Sequence, residues 1–441
     1  MNLISGLSIK MITLLMIIIH CSESIEAKTS DDNKELNLLK KAFLDLNLPA
    51  VQLNFQNIIN SQVSNSQLKN QQLALNKMLS LSKNLNPADT CELIELEKIK
   101  FDLNLHNSRL KLLQQYPESK TTYAGSIYQL PNNKQWYQLL TLWWLGENIT
   151  PKALKTIGEN EFNKAHKLLK NVNRIHKDKI TASHNSQSIE KAYQQAENTV
   201  MDNLKILFNP EWNFKPVNIE KSYQGNDFPA PGYYNMQNDT FYYNPLSENY
   251  NLSQVDWLFI HEAIPGHHYQ NKITEKYGVC NHKLSTQPEM AFTEGWAAYT
   301  ETLGKELGLY QEPNSHYFAL KWQALRAMRV IIDVGIHAQG WSQEKAQSYW
   351  LTHFPEGKDV MIREIQRIQN WPMQVNTYVF GKYKIEQLKH KLKHVQGNQF
   401  NAAEFHENIV SLTRLPLVSL HHYSQLFTHQ KQVTQDIRKN K

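Results

Sequence analysis

The run His261-Glu262-Ala263-Ile264-Pro265-Gly266-His267-His268 puts three imidazoles and a carboxylate within eight residues. These side chains bind a transition metal and move a proton beside it. Val255, Trp257, Leu258, Phe259, Ile260, Ala263 and Ile264 surround His261 and Glu262 with apolar surface on nearly every helical face, so the segment should be a buried helix. Burying an imidazole and a carboxylate there costs on the order of several kcal/mol unless they are paired or metal-bound. A lone buried histidine is usually a satisfied core residue. With a glutamate beside it and two more histidines close by, metal ligation is the better reading.

Spacing sharpens the expectation. Two histidines share one ion from a regular helix when they lie four residues apart. Here His267 is six and His268 seven residues beyond His261. Six residues rotate by about 600°, leaving His267 roughly 120° off the face and ~9 Å along the axis. His268 returns to the face ~10.5 Å away, too far for bonds near ~2 Å. Pro265 cannot donate to the carbonyl of His261, and Gly266 admits dihedrals that other residues resist. A kink or bulge that swings a later histidine back is therefore expected. His267, directly after the glycine, is the favoured second ligand and His268 the alternative.

A third ligand is offered by Glu294, flanked by Phe, Gly and Trp in Phe292-Thr293-Glu294-Gly295-Trp296-Ala297-Ala298-Tyr299-Thr300-Glu301. A single glutamate on a helix is usually solvated, but this setting is apolar. Glu301, about two turns on, is placed to orient a ligand histidine. His261, His267 and Glu294 would hold one zinc ion with a fourth position open to water, as catalytic sites do. Zinc would acidify that water and polarise a scissile carbonyl. Glu262 would then act as general base, passing the proton to the leaving amine.

The elements that must position these groups are mostly helical. The 441 residues are 41% hydrophobic, enough for a large core, with only 16 glycines and 16 prolines. Residues 28–205 read as an N-terminal helical region: Leu38, Leu39, Phe43 and Leu46 recur at helical spacing, as do Leu96, Ile99 and Leu103. Thr150-Pro151 reads as a helix start. The Asn/Gln/Ser-rich segment Asn60–Asn76 reads as a helix with a polar face, with a loop as the alternative. Residues 206–441 form the catalytic region, continuous with the first. Prolines and aromatics crowd 206–252, and Thr240-Phe241-Tyr242-Tyr243-Asn244 has strand chemistry, giving a small β element. It is either an edge that pairs with an extended peptide or a structural hairpin. Helical patterns follow at about 253–264, 288–307, 317–339, 342–353, 372–394 and 402–412.

Several further polar residues lie on these helices. Arg329, Asp333 and His337 share one stripe. Either Asp333 orients His337 to stabilise a tetrahedral intermediate, with Arg329 near a substrate carboxylate, or the three form a buried polar ladder. Tyr378 is a candidate oxyanion donor or a core residue, beside Gly381, which suits close helix approach. Arg367 and Lys382 are candidates for binding a peptide C-terminus, against the simpler reading of solvated basic residues.

The N-terminus reads as a cleaved export signal over residues 1–27. Lys10 precedes the apolar run Met11 to Ile19, too short to span a bilayer. A lipid anchor at Cys21 is the weaker reading, because His20 stands where a small residue is wanted. Cys91 and Cys280 would remain, allowing one bridge at most. The net charge of +6 is dispersed without a basic cluster, which argues against nucleic acid. No later run is apolar and long enough to span a membrane, and the sequence fixes no oligomeric state.

These motifs resemble the bacterial family "domain of unknown function 885", whose hallmark is His-Glu-Ala-x-Pro-Gly-His-His followed by Glu-Gly-Trp-Ala. Gln129-Leu130-Pro131 with Tyr137, Tyr233, Phe241-Tyr242-Tyr243-Asn244, Arg329, Asp333-Val334-Gly335-Ile336-His337, Gly340-Trp341, and Pro372-Met373-Gln374 with Tyr378 and Gly381 look like its landmarks. The resemblance covers roughly residues 120–400. The family in turn resembles the helical gluzincin peptidases: thimet oligopeptidase, angiotensin-converting enzyme, carboxypeptidase Taq and dipeptidyl peptidase III. This implies a mainly α, two-lobed protein with a deep cleft, one zinc ion and short peptide substrates. The leading expectation is thus an exported, periplasmic or secreted zinc metallopeptidase. The competing ones are another metal-dependent amide hydrolase, for instance on peptidoglycan stem peptides, and a non-catalytic periplasmic peptide-binding protein. An intact Glu262 weighs against the last, since a binding module needs no general base.

Overall fold

A computed structural model describes residues 34–46, 48, 55–60, 64–87, 89–115, 123–172, 182–183, 185–210, 215–223, 230–245, 249–278, 289–413, 417 and 420. The leader read at 1–27 and Cys280 lie outside them. The architecture is mainly α. The helices are α1 (34–45), α2 (Phe55–Asn60), α3 (Asn65–Ser82), α4 (Thr90–Leu113), α5 (Asn133–Leu145), α6 (Pro151–Asn171), α7 (Ser186–Asn203), α8 (Val255–Glu262), α9 (His267–Tyr277), α10 (Met290–Thr300), α11 (Pro313–Gln339), α12 (Gln343–His353), α13 (Met361–Asn370), α14 (Asn376–Gln396) and α15 (Ala402–Ser411). The strands are β1 (Ala182–Ser183), β2 (Asn218–Lys221), β3 (Gly232–Asn235), β4 (Thr240–Tyr243) and β5 (Tyr250–Asn251).

The chain divides into two compact units, with α1, α3 and α4 in the first and α2 and α5 to α15 in the second. Composition suggested a boundary near residue 205, but α5, α6 and α7 belong with the helices that follow because their apolar faces pack there. In the first unit the Asn/Gln-rich segment forms α3, opened by a capping box in which Ser64 and Gln67 satisfy each other's backbone N–H. It packs on α4 through buried Leu68 and Leu75. Its polar face is spent across the pair: Gln114 donates to Gln72, and Asn107 to Asn76. Pairing of early with late residues makes the two helices antiparallel.

The second unit is built round α11, whose residues from Ala324 to His337 are all buried. α6 lies along it, α10 packs on α14, and α8 meets α10 and α11. The α10–α14 contact is a backbone contact. A Cβ on Gly295 would stand 2.4 Å from the Cα of Gly381, and one on Gly381 only 1.8 Å from the carbonyl oxygen of Ala291. Glycine at both positions lets the helices touch, which brings Glu294 on one and Tyr378 on the other to the same pocket. The expected β element is a three-stranded sheet ordered β2-β4-β3. β2 runs parallel to β4, and β3 pairs antiparallel with it in the register Tyr233 to Tyr242 and Asn235 to Thr240. β1 pairs separately with β5. Two helices, α9 and α13, have no counterpart in the sequence reading.

Candidate metal centre

The unusual spacing is solved by a break rather than by a bulge. α8 stops at Glu262, and α9 begins at His267. A cis Ile264–Pro265 peptide lies between them. Gly266 has φ −72° and ψ −137°, outside the α and β regions, as expected of a glycine here. A Cβ there would lie 1.9 Å from the carbonyl oxygen of His261, and glycine is needed for that close approach. The polar groups freed by the break are satisfied by α10: Trp296 Nε1 donates to the carbonyl of Pro265 at 2.8 Å, and Thr300 Oγ1 to that of Ile260 at 3.1 Å.

This turn brings His261, His267 and Glu294 together, with one donor atom of each within 4.8 Å of the others. Glu294 Oε2 lies 3.7 Å from His261 Nε2 and 3.5 Å from His267 Nε2, and has no hydrogen-bond partner of its own. Bonds of about 2.1 Å put the donors of a tetrahedral ion ~3.4 Å apart, so the spacing, the two-nitrogen, one-oxygen set and the orphaned oxygen fit zinc. His268, the alternative ligand, is turned away. Its Nε2 donates to the carbonyl of Lys215 at 2.8 Å, and its Nδ1 pairs with the Tyr234 hydroxyl at 3.2 Å.

Glu301 is where the sequence placed it. Its Oε1 accepts from His261 Nδ1 at 2.8 Å, which turns Nε2 towards Glu294 as the nitrogen that would bind a metal. Arg326, not anticipated, forms an ion pair with the same carboxylate oxygen. Arginine only donates, so the 3.3 Å approach of its Nη2 to a protonated Nδ1 is a contact and not a second bond. Burial raises the pKa of Glu301, but Arg326 and His261 outweigh it and the net shift is down. Burial likewise works against the charged form of His261, yet Glu294 and Glu301 lift its pKa to about 9 in the metal-free site. Burial is also the largest influence on Glu294, but the two imidazoles hold it well below the usual carboxylate range. The pair is thus an anion facing imidazoles, as a cation site requires.

Glu262 lies beside the cluster. Its Oε2 accepts the N–H of Tyr234 in β3 at 2.9 Å, and its Oε1 stands 3.9 Å from His261 Nε2. A pocket of about 290 Å³ opens over these groups, lined also by Gly232, Tyr233 and Tyr234 of strand β3, Trp257 and Trp322, Tyr378 and four arginines. The Tyr378 ring stacks 6.2 Å from that of His261, and its hydroxyl accepts from Arg367 Nη2 at 3.2 Å. Arg329 and Arg367 both line the pocket. Lys382 does not; it is buried in ion pairs with Glu161 and Glu386.

Asp333 and His337 are not brought to the cluster. Asp333 accepts from the Met373 N–H and from Asn376 Nδ2, each at 2.8 Å. His337 Nε2 donates to the carbonyl of Ile368 at 3.0 Å, while Nδ1 accepts the N–H of Ile127 at 3.3 Å. Every polar atom of that imidazole is spent on backbone, so Asp333 and His337 fit the ladder reading rather than a catalytic one, while Arg329 lines the pocket instead.

The family model described as "Bacterial protein of unknown function (DUF885)" matches residues 108–422. The chain belongs to this family. No curated protein matches it. Among solved structures, this DUF885 member is similar to "the putative lipoprotein from Colwellia psychrerythraea": 19% identity, TM-score 0.63, covering 85% of this chain and 72% of the other. It also matches "a putative lipoprotein of unknown function from Shewanella oneidensis", at 20% identity and TM-score 0.49, over 82% and 73% of the two chains. Both likenesses are distant. Among the described residues, no helix of the DUF885 chain is long and apolar enough to cross a membrane.

Proposed function

We propose that the protein is a zinc-dependent hydrolase that cleaves amide bonds in short peptides outside the cytoplasm. The observation that carries this reading is the convergence of His261 Nε2, His267 Nε2 and Glu294 Oε2 at the wall of a pocket, with Glu262 alongside. A zinc ion held there would acidify a water and polarise a carbonyl. The protein's own groups supply the rest. The Tyr234 N–H pins Glu262 Oε2, which leaves Oε1 to accept the water proton and return it to the leaving nitrogen. The C–N bond breaks, the acyl carbon gains the hydroxyl, and the amine gains the proton.

β3 is an edge strand, and Tyr234 turns its N–H away from β4 towards Glu262. By alternation Gly232 presents its backbone on the same side, within the pocket lining, where an extended chain can pair with it. A pocket of about 290 Å³ suits a few residues rather than a folded protein. Cys91 is disulfide-bonded, which favours an oxidising compartment, as does the leader-like run at the N-terminus.

Zinc content and peptide hydrolysis measured together test the reading. Glu262→Gln should retain one zinc per chain and lose about 10²- to 10⁴-fold in rate. Wild-type protein carrying zinc that cleaves no member of a diverse short-peptide library would end the proposal.

A further inference from the structure

One end of the metal pocket holds more positive charge than the protein neutralises. Arg329, Arg363 and Arg367 line it, and Glu364 is the carboxylate paired with them, while Glu262 and Glu294 line the same pocket at the metal donors. Glu364 pairs with Arg329 at 2.7 Å and with Arg363 at 3.1 Å. Arg326 already has Glu301. Arg367 has only neutral acceptors among the described residues: its Nε donates to Gln374 Oε1 at 3.0 Å and its Nη2 to the Tyr378 hydroxyl. Arg329, 2% exposed, keeps an Nε–H with no hydrogen-bond partner.

Three guanidiniums facing one carboxylate in a partly enclosed pocket are costly unless an anion joins them. The planar guanidinium fork matches a carboxylate in geometry as well as charge. We propose that the Arg367–Arg329 end of the pocket binds the free α-carboxylate of the peptide substrate, making the protein an exopeptidase that works from the C-terminus. This rests on the hydrolase reading above.

Tyr378 links the two ends, since its hydroxyl meets Arg367 and its ring lies beside His261. Because one tyrosine touches both ends, the bond cleaved would lie close to that carboxylate, at ~3.4 Å per extended residue. Cleavage there needs water alone as co-reactant. A peptidase for internal bonds would instead leave this end open to a continuing neutral chain.

The test is binding to the zinc-loaded Glu262→Gln protein and to the metal-free wild type. The probes are acetyl-Ala-Ala, its C-terminal amide, and acetyl-Ala-Glu amide. The free acid should bind about 30-fold or more tighter than the amide in both preparations, because a site built for a group rejects its lack. Arg367→Gln should abolish that preference. Equal binding of acid and amide, or binding of neither, overturns the proposal. Binding of the glutamyl amide as tight as that of the free acid overturns the assignment to the α-carboxylate. Wild-type acid–amide discrimination decides the matter even if the arginine variant misfolds. If free acid and amide are hydrolysed equally well and bind equally, the exopeptidase inference fails and the hydrolase stands. If neither is cleaved while the acid preference persists, the carboxylate site stands and the hydrolase fails.

Discussion

Two constellations in this protein are built from the same residue types: the His261–His267–Glu294 cluster, and the Asp333–His337 pair on α11. Both sit in apolar surroundings, and Asp333 and His337 are if anything the more deeply buried, at 0% and 1% exposure. They differ in what their polar atoms do. The α11 pair is saturated by Met373, Asn376, Ile127 and Ile368, so nothing is left to offer a ligand. The cluster instead turns three donors towards one point and leaves Glu294 Oε2 without a hydrogen bond. Burial and residue type alone therefore do not mark a site. Unspent valence does.

The sharpest way to break that comparison is to remove donors. His267→Ala should lower zinc affinity by about 10³-fold or more, while His268→Ala changes it less than about twofold, read by competition with a chelating indicator. Loss of zinc in the second variant alone would reverse the ligand assignment. Next in size is Glu301→Gln, which keeps an acceptor for His261 but removes the charge facing Arg326. Zinc affinity should fall about 10- to 100-fold with the protein still folded.

The smallest effect belongs to the saturated pair. His337→Ala should leave zinc binding intact and cost about 3 kcal/mol of stability, since two backbone groups lose their partner. Its pH dependence has a definite sign. Burial holds the His337 pKa below its ordinary 6.5, so the unfolded chain takes up a proton first. The stabilisation is complete above pH 6.5 and is lost as the pH falls below it, at up to ~1.4 kcal/mol per pH unit. His406, pushed down by burial to about 3, acts in the same direction between 6.5 and that value. Asp333, which burial pushes up from 3.8, opposes them as the pH falls towards 3.8. Denaturation of the metal-free protein across pH 4–7 should show a shallower slope in the His337 variant. An unchanged slope would mean His337 is not held neutral.

Much of this was legible in the sequence. The helix spans after residue 253 other than α9 and α13, the β element, and the meeting of His261 with Glu294 and Glu301 follow from local spacing and apolar context. The choice of His267 followed from the glycine before it. The reach of such reasoning ends where chain-distant faces meet. Arg326, Arg363 and Arg367 gather at one pocket from α11 and α13, and no local pattern announces that. α13 itself left a trace, since buried Met361, Ile365 and Ile368 recur at helical spacing. His337 misled because an aspartate one turn away looks the same whether it orients a catalytic ring or braces a helix.

The indole bond from Trp296 to the carbonyl of Pro265 ties the break between the two histidines to the helix that carries Glu294. All three donors are thereby mounted on one frame braced by the protein's own hydrogen bonds. The metal would be a tenant of this site rather than its keystone. Chelation should strip the zinc and leave a folded, reloadable protein, unlike small zinc domains that unfold on losing theirs.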